Sequence, residues 1–505
     1  MNIMMLLEMA AGANPDRIAF VNDGESLTYQ QLLDGAGIAS HFIQSSGCQR
    51  FCTLDVSTLA TPIGLFAACW AGVPYVPINY RLTRPEIDSL LARVKPAYLI
   101  INEDQDFAFD SSDDGIIQLR DDFLNAAESG HESTASWSME PEDVAVLLFT
   151  SGTSGPPKAA VLRQKHLVSY ILGSVEFASA DESETALVCV PPYHIAGVAA
   201  ILSSVYSGRR VVQLSNFSAE AWIDLARTEK VTTAFVVPTM LSRIVEALED
   251  APSADMPHLE SLSYGGGRMP LPVIARAMEL FPDTDFTNAY GLTETSSTVT
   301  VLGPEDHRIA AASKDDVGHH RLVSVGKPLP GIEIEIRDDE GNALGEEEHG
   351  EIFVRGEQVS GEYEGIGVTT TEDGWFPTKD AGYVDSEGYL YLEGRTDDII
   401  VRGGENMSPG EIEDVIIEHP AVLDACVVGI PSKQWGETVA TAVIRREGED
   451  LSDEALQQWI REHMRSSRVP EVIDWVTELP YTDTGKLIRR IVREKLRTLS
   501  GESED

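Results

Sequence analysis

Residues 149–160 read FTSGTSGPPKAA. Thr150, Ser151, Thr153 and Ser154 supply hydroxyls, Gly152 and Gly155 let the backbone come close to a ligand, and Lys158 supplies a point charge. Backbone N–H groups, hydroxyl donors and one ammonium together make an anion cradle, so the chemistry they could do is phosphate binding. A Walker loop is a different object. It needs Lys followed by Ser or Thr at the start of a helix, whereas Lys158 is followed by Ala159 and Ala160, and Pro156 and Pro157 remove two N–H donors. Taken alone, the stretch reads more readily as a flexible Gly/Ser surface loop, so its meaning depends on what surrounds it.

The loop leaves the end of 143-DVAVLLF-149, an apolar run that predicts a buried strand. Up to about residue 390 helical patterns alternate with short apolar runs, as in 59-LATPIGLFAACWAG-72 before 73-VPYVPINY-80 and 218-SAEAWIDLARTEK-230 before 231-VTTAFVVP-238. That alternation predicts an α/β architecture with parallel pairing. From about 321 the pattern turns to strands and turns, in 332-IEIEIRDDEGNALG-345, 350-GEIFVRG-356 and 389-YLYLEG-394, predicting a β-rich subdomain over about 321–394. A further change follows Gly394. Ser408, Pro409 and Glu411 read as an N-cap, a first-turn proline and the closing residue of a capping box. Strands are then expected at 425–430, 438–446 and 472–479, and helices at 453–464 and from Lys486. The expected fold is therefore a large α/β N-terminal domain over 1–394, with mixed sheets and flanking helices, and a smaller mobile α+β C-terminal domain over 395–505.

Composition excludes several classes. At 505 residues the chain exceeds the size at which one hydrophobic core stops growing, so two or more domains are expected. With 82 acidic against 38 basic residues the formal charge is −44, which argues against a nucleic-acid surface and makes every cation near a phosphate loop worth following. Solvation or adaptation to salt is the plain reading of that acidity. No apolar run is long enough to span a membrane and the N-terminal MNIMMLLEMAAGA lacks a basic flank, which predicts a soluble cytoplasmic protein. The five cysteines are scattered, with no CxxC or HExxH spacing, so reduced, buried thiols are expected and a structural metal is not.

Five stretches carry a resemblance: the loop at 149–160, 191-PPYHIAG-197, 288-NAYGLTET-295, 375-WFPTKDAGYVDSEGYLYLEGRTDDIIVRGGENMSPGEIE-413 and 480-PYTDTGKLIRR-490. In order and spacing, over roughly residues 10 to 495, the chain resembles the AMP-forming acyl-CoA synthetases, the adenylating superfamily that also includes luciferases and nonribosomal-peptide adenylation domains. The resemblance implies a two-step reaction. A carboxylate attacks the α-phosphate of ATP to give acyl-adenylate and pyrophosphate, and a thiol, usually that of coenzyme A, then displaces AMP. Such chemistry needs positioning together with cationic and hydrogen-bond stabilisation of the charge on the triphosphate.

Residue by residue, the resemblance implies that the 150–155 loop and Lys158 hold the β- and γ-phosphates and that Thr293 bonds a phosphate oxygen. Glu294 would be a hard oxygen ligand for Mg²⁺, with Thr150 as a second contact. Tyr290 would stack on adenine beside Asn288, Ala289, Gly291 and the backbone of Gly266 and Gly267, while Asp380 would accept from the ribose hydroxyls with Arg395 nearby. Asp397 would be a hinge about which the small domain turns, presenting Lys486 for adenylation and then Gly403, Gly404 and Glu405 for thioester formation. His194 would line the acyl pocket, held by Glu405, or be an ordinary core histidine. Lys379 stands where the family has glycine, Ala159 also replaces a glycine, and 467-SRVP-470 lacks the usual tyrosine–lysine pair. The acceptor is thus coenzyme A or, alternatively, an amine or carrier-protein thiol; the acid is small aromatic or medium-length aliphatic. The family also allows a homodimer.

Overall fold

A computed structural model describes residues 1–104, 107, 109, 112–130, 136–150, 157–314, 316–403, 405–482 and 487–500, and of Ser112, Asp316, Val317 and Asn406 the backbone only. Two large sheets form the first part of the chain. In the nine-stranded sheet, Asp285–Leu292, Ser261–Gly265, Thr233–Val236, Thr185–Val188, Arg210–Gln213 and Ile18–Asn22 run parallel as neighbours, with antiparallel strands at both edges. The eight-stranded sheet is parallel across Val144–Thr150, Tyr75–Pro77, Arg50–Leu54, Ala97–Ile101 and Gly115–Leu119. Those buried throughout, such as Ala97–Ile101 and Thr185–Val188, are apolar runs of the sequence, because a strand covered on both faces has no use for polar alternation.

One apolar core joins these layers, with Trp222, Phe66, Phe20 and Tyr264 fully buried in it. The helix Ala60–Ala71 shows why the layers close: apolar on nearly all sides, it is buried along most of its length, and Gly72 ends it in a left-handed conformation. Tyr29–Ser46, which packs beside it, opens on the capping box of Thr28 and Gln31.

The β-rich segment forms a four-stranded sheet ordered Glu333–Arg337, Gly350–Arg355, Phe376–Val384 and Leu390–Arg395. After a short 3₁₀ turn at Thr396–Asp398, a separate sheet pairs Val422–Ser432 with Gly436–Arg445. It adds Ile400–Arg402, Glu405–Met407 and Val472–Trp475, and the helices Pro409–Ile417, Asp453–His463 and Arg489–Ser500 accompany it. Mixed sheets with flanking helices in a large N-terminal domain, followed by a smaller α+β domain, are the architecture the sequence implied.

The expected capping box at Ser408 does not form. The Ser408 hydroxyl donates to Glu393 O at 2.7 Å across the junction between the two parts, and Glu411 pairs with Arg468. A tertiary acceptor wins over the local N–H. All five cysteines are free and buried, and no helix among the described residues is long and apolar enough to cross a membrane.

Candidate active site

The strand that precedes the phosphate loop runs into a second strand rather than a helix. Val144–Thr150 pairs antiparallel with Lys158–Arg163, and Thr150 faces Lys158 across the ladder. The residues on either side of 151–156 are therefore held together, with the Thr150 hydroxyl donating to Lys158 O at 3.3 Å. Arg93 braces the far end, donating to Pro157 O at 2.6 Å with its guanidinium 4.9 Å from the Phe149 ring centre. Ser151, Gly152, Thr153, Ser154 and Gly155 lie outside the described residues, as do Gly404 and Lys486.

Asp285–Leu292 carries the second group. Buried and half-buried residues alternate along it, so Asn288 and Tyr290 point into the protein while Ala289 and Gly291 face the other way. Asn288 donates its amide to Ser324 O at 2.9 Å, and Ala289 pairs with Gly265, which places the exposed Gly266 and Gly267 at the adjoining strand end. At Gly291 a side chain is sterically excluded, since a Cβ there would stand 1.8 Å from Ser297 O. The strand ends in a 3₁₀ turn, Thr293–Thr295, which leaves Thr293 half-buried and Glu294 buried.

Tyr290 donates its hydroxyl to Asp380 Oδ2 at 2.7 Å, and Arg395 donates to Asp380 Oδ1 at 3.0 Å and to Thr378 O at 3.0 Å. Asp380 and Arg395 are themselves cross-strand partners. The Thr378 hydroxyl accepts from Asp380 N at 3.1 Å and donates to Ile352 O, which fixes the strand on which Asp380 sits. Each Asp380 oxygen thus has one donor from the protein and lone-pair capacity for another, the arrangement a pair of vicinal hydroxyls needs. Burial, and then the charge of Asp380, push the Tyr290 phenol well above its ordinary range, so it stays a donor at any physiological pH.

Glu294 receives the Tyr363 hydroxyl on Oε1 at 2.6 Å, and the Lys158 ammonium lies 5.3 Å from the centre of the same tyrosine ring. Thus the carboxylate expected to take Mg²⁺ and the loop lysine expected to take phosphate share one aromatic neighbour. Among the described residues no group of three His, Cys, Asp or Glu could hold a metal by itself. One buried carboxylate fits a hard cation that keeps most of its other positions for phosphate oxygens and water, as Mg²⁺ does.

Other expected residues sit on separate elements. His194 is half-buried just before the helix Ile195–Ser207, its ring 4.7 Å from that of Tyr193. Gly403, at φ +59°, donates its N–H to Trp435 O at 2.7 Å, and Glu405 begins a short strand paired with Arg402. Asp397 lies in the 3₁₀ turn between the two parts of the chain. Lys379 has φ +63°, a left-handed conformation in which glycine is at ease, and its side chain turns to Glu351 at 3.3 Å. Ala159 is buried in an ordinary strand pair with Phe149.

Sequence reasoning missed Tyr363, Thr378 and Arg93. Thr378 was legible as a hydroxyl two residues before an aspartate, whose N–H it caps; nothing local marks the other two.

Comparison with known proteins shows the family. The AMP-binding enzyme family model matches residues 7–364, and the AMP-binding enzyme C-terminal domain matches residues 411–486. A 2-succinylbenzoate–CoA ligase from Bacillus licheniformis is 31% identical over 494 residues, covering 96% of this chain and 98% of that protein. A fatty acid–acyl-carrier-protein ligase, ScoC, from Streptomyces coeruleorubidus is 30% identical over 500 residues, covering 95% and 94%. The o-succinylbenzoate CoA synthetase MenE from Bacillus subtilis, solved in complex with the acyl-adenylate intermediate OSB-AMP, superposes with a TM-score of 0.83 at 27% identity over 97% of both chains. MenE has also been solved in complex with ATP and magnesium ion. With its residues 7–364 and 411–486 matched by the two models, this chain belongs to the family of AMP-binding enzymes.

Proposed function

We propose that the protein is an AMP-forming carboxylate:CoA ligase. In this reading the carboxylate substrate forms a bond to the α-phosphorus of ATP, the α–β phosphoanhydride bond breaks and pyrophosphate leaves. The thiol sulfur of coenzyme A then attacks the acyl carbon and AMP departs. The observation that carries the reading is the buried Asp380, clamped between Tyr290 and Arg395, with Glu294 near enough for its charge to act on Arg395. A ribose acceptor, a metal carboxylate and a phosphate cation together describe a nucleoside triphosphate site.

Within it, Asp380, held from behind by the Tyr290 hydroxyl, orients the ribose, Ala289, Gly291 and the 265–267 turn face adenine in place of the stacking first expected of Tyr290, and Lys158 with the 150–155 loop holds the outgoing phosphates. Mg²⁺, held by Glu294 with Thr150 near, would supply neutralisation of triphosphate charge. Lys486 brings an ammonium to the carboxylate oxygen and the α-phosphate, stabilising charge where the bond forms. The small domain, beginning near residue 395 and turning about Asp397, then brings the 403–406 segment to the thioester step, where Glu405 orients His194 beside the acyl group. The substrate reading favoured is a small aromatic acid, in keeping with the benzoate-derived acid named for the 2-succinylbenzoate relatives. The carrier-protein ligase among the relatives keeps a carrier thiol as the second reading for the acceptor.

The test is ATP–pyrophosphate exchange over a panel of aromatic and aliphatic carboxylates, followed by acceptor assays with coenzyme A, an amine and a phosphopantetheinyl carrier protein. Carboxylate-dependent exchange with thioester formation on coenzyme A is expected. Exchange with transfer only to the carrier protein would replace the acceptor, and no exchange with any acid would overturn the reading.

A further inference from the structure

We propose that Tyr363 is a positioning residue for Glu294, setting the geometry of the metal-ligating carboxylate relative to the phosphate-loop lysine. The inference rests on the adenylation reading above and names a part that neither the motifs nor the family comparison singles out. Tyr363 lies on a two-residue strand next to the edge of the eight-stranded sheet, where it pairs with Ala160, two residues beyond Lys158. Its segment is fastened on both sides. Toward the loop strand, the Ser360 hydroxyl donates to Val161 O at 2.6 Å, Glu364 N donates to Ala159 O at 2.9 Å, and Arg163 grips Glu362 through two hydrogen bonds of 2.8 Å. Toward the Thr293–Thr295 turn, Ser360 N and Gly361 N both donate to Glu294 O, at 2.8 and 3.2 Å. Gly361 makes its share of this contact at φ +53°, where a Cβ would also stand 2.7 Å from the Thr370 methyl. The segment 360–364 is thus a strap joining the two sheets behind the site.

Tyr363 is the member of the strap that reaches forward. Its hydroxyl holds Oε1 of a carboxylate that is only 8% exposed, and its ring presents a face to the Lys158 ammonium. A buried carboxylate needs a donor, and the choice of donor matters here. An arginine or lysine in this place would cancel the charge that attracts a divalent cation; a phenol fixes the orientation of the group and leaves its charge intact. Among the described residues the Glu294 side chain has no other hydrogen-bond partner, which leaves Oε2 to face the cation.

The experiment compares the parent enzyme with Tyr363→Phe, which keeps the ring under Lys158 and removes the hydroxyl. Two readouts are taken: Mn²⁺ affinity in the presence of ATP, titrated by electron paramagnetic resonance, and the free Mg²⁺ concentration giving half-maximal pyrophosphate exchange. Tyr363→Phe is expected to weaken Mn²⁺ binding and to raise the Mg²⁺ requirement, each on the order of tenfold, one hydrogen bond to a charged group being worth about that much, with a smaller change in the rate at saturating Mg²⁺. In a Glu294→Gln background the same substitution should have no further effect on Mn²⁺ affinity, because the hydroxyl acts through the carboxylate. A general packing defect would lower melting temperature and activity in both backgrounds. Mn²⁺ affinity and Mg²⁺ requirement within twofold of the parent would overturn the proposal. A parent enzyme without any exchange would instead remove the adenylation reading, and the Mn²⁺ titration would still decide on Tyr363.

Discussion

Asp380 and its neighbour show how far single residues could be read. The aspartate, Tyr290, Glu294 and Lys158 were each named from sequence, and the structure groups them through two short hydrogen bonds and an aromatic ring. What the sequence left open was Lys379, a bulky cation where glycine is the family habit. The left-handed backbone supplies the reason for glycine, and the Glu351 contact shows the side chain directed to a partner at the surface. A non-glycine residue in this conformation costs about 1–2 kcal/mol, while glycine costs about 0.5–1 kcal/mol in chain entropy and would lose an exposed ion pair. Those effects nearly cancel. Urea unfolding should therefore find Lys379→Gly within about 0.5 kcal/mol of the parent and Lys379→Val lower by about 1–2 kcal/mol, because a β-branched residue is an outlier at positive φ. Equal stability of the two variants would mean that the backbone is not left-handed there. Tyr363 was invisible for the opposite reason: its partners, Glu294 and Lys158, are 69 or more residues away in sequence and meet it only through tertiary pairing.

At the scale of elements, hydrophobic periodicity served well wherever an element is buried on its own pattern, as in Ala60–Ala71 and Val422–Ser432. It failed where a distant partner decides. Ser408 caps nothing because Glu393 O lies within reach, and the glycine-rich stretch 151–156 is followed by a strand because Lys158–Arg163 finds both Val144–Thr150 and the Tyr363 strap to pair with. The small domain holds another such case. Arg489, at the start of the terminal helix, pairs with Glu413, stands 3.8 Å from Asp398 beside the proposed hinge, and donates to Val427 O at 2.9 Å. Beside this cluster Tyr481 donates to Asp424 at 2.9 Å, and burial raises the Asp424 carboxyl to about 6 from 3.8. With its folded pKa above the unfolded one, Asp424 binds a proton on folding. The stability this contributes is complete below the unfolded value and is lost as pH rises through about 6. Asp424→Asn should accordingly stabilise the small domain by about 1–2 kcal/mol at pH 7 and flatten the change in denaturant midpoint between pH 5 and pH 7. A variant with the parent's pH profile would place the carboxyl in a more solvated setting than the structure gives it.

For the whole molecule, the two-part architecture and the adenylate-forming family were legible because the motifs keep their order along almost the entire chain, while the relation between the parts was not, since it depends on contacts such as that of Arg268 with Asp414. The charge of −44 has a consequence on this scale alone. Self-repulsion among 82 acidic side chains weakens as the screening length falls from about 10 Å at 0.1 M salt to about 3 Å at 1 M. The melting temperature should rise by at least about 5 °C over that range; a fall would mean that attractive pairs, not repulsion, dominate the surface. The same repulsion makes the few cations of the proposed site count for more, and in that proposal Lys486 most of all. The central claim is that this ammonium and the nucleotide site of the large domain together join a carboxylate to AMP. Carboxylate-dependent ATP–pyrophosphate exchange by the parent and by Lys486→Ala tests it most directly: a loss of about 10²–10³-fold in the variant, with ATP binding retained, is the predicted result, and exchange at the parent rate would contradict the account.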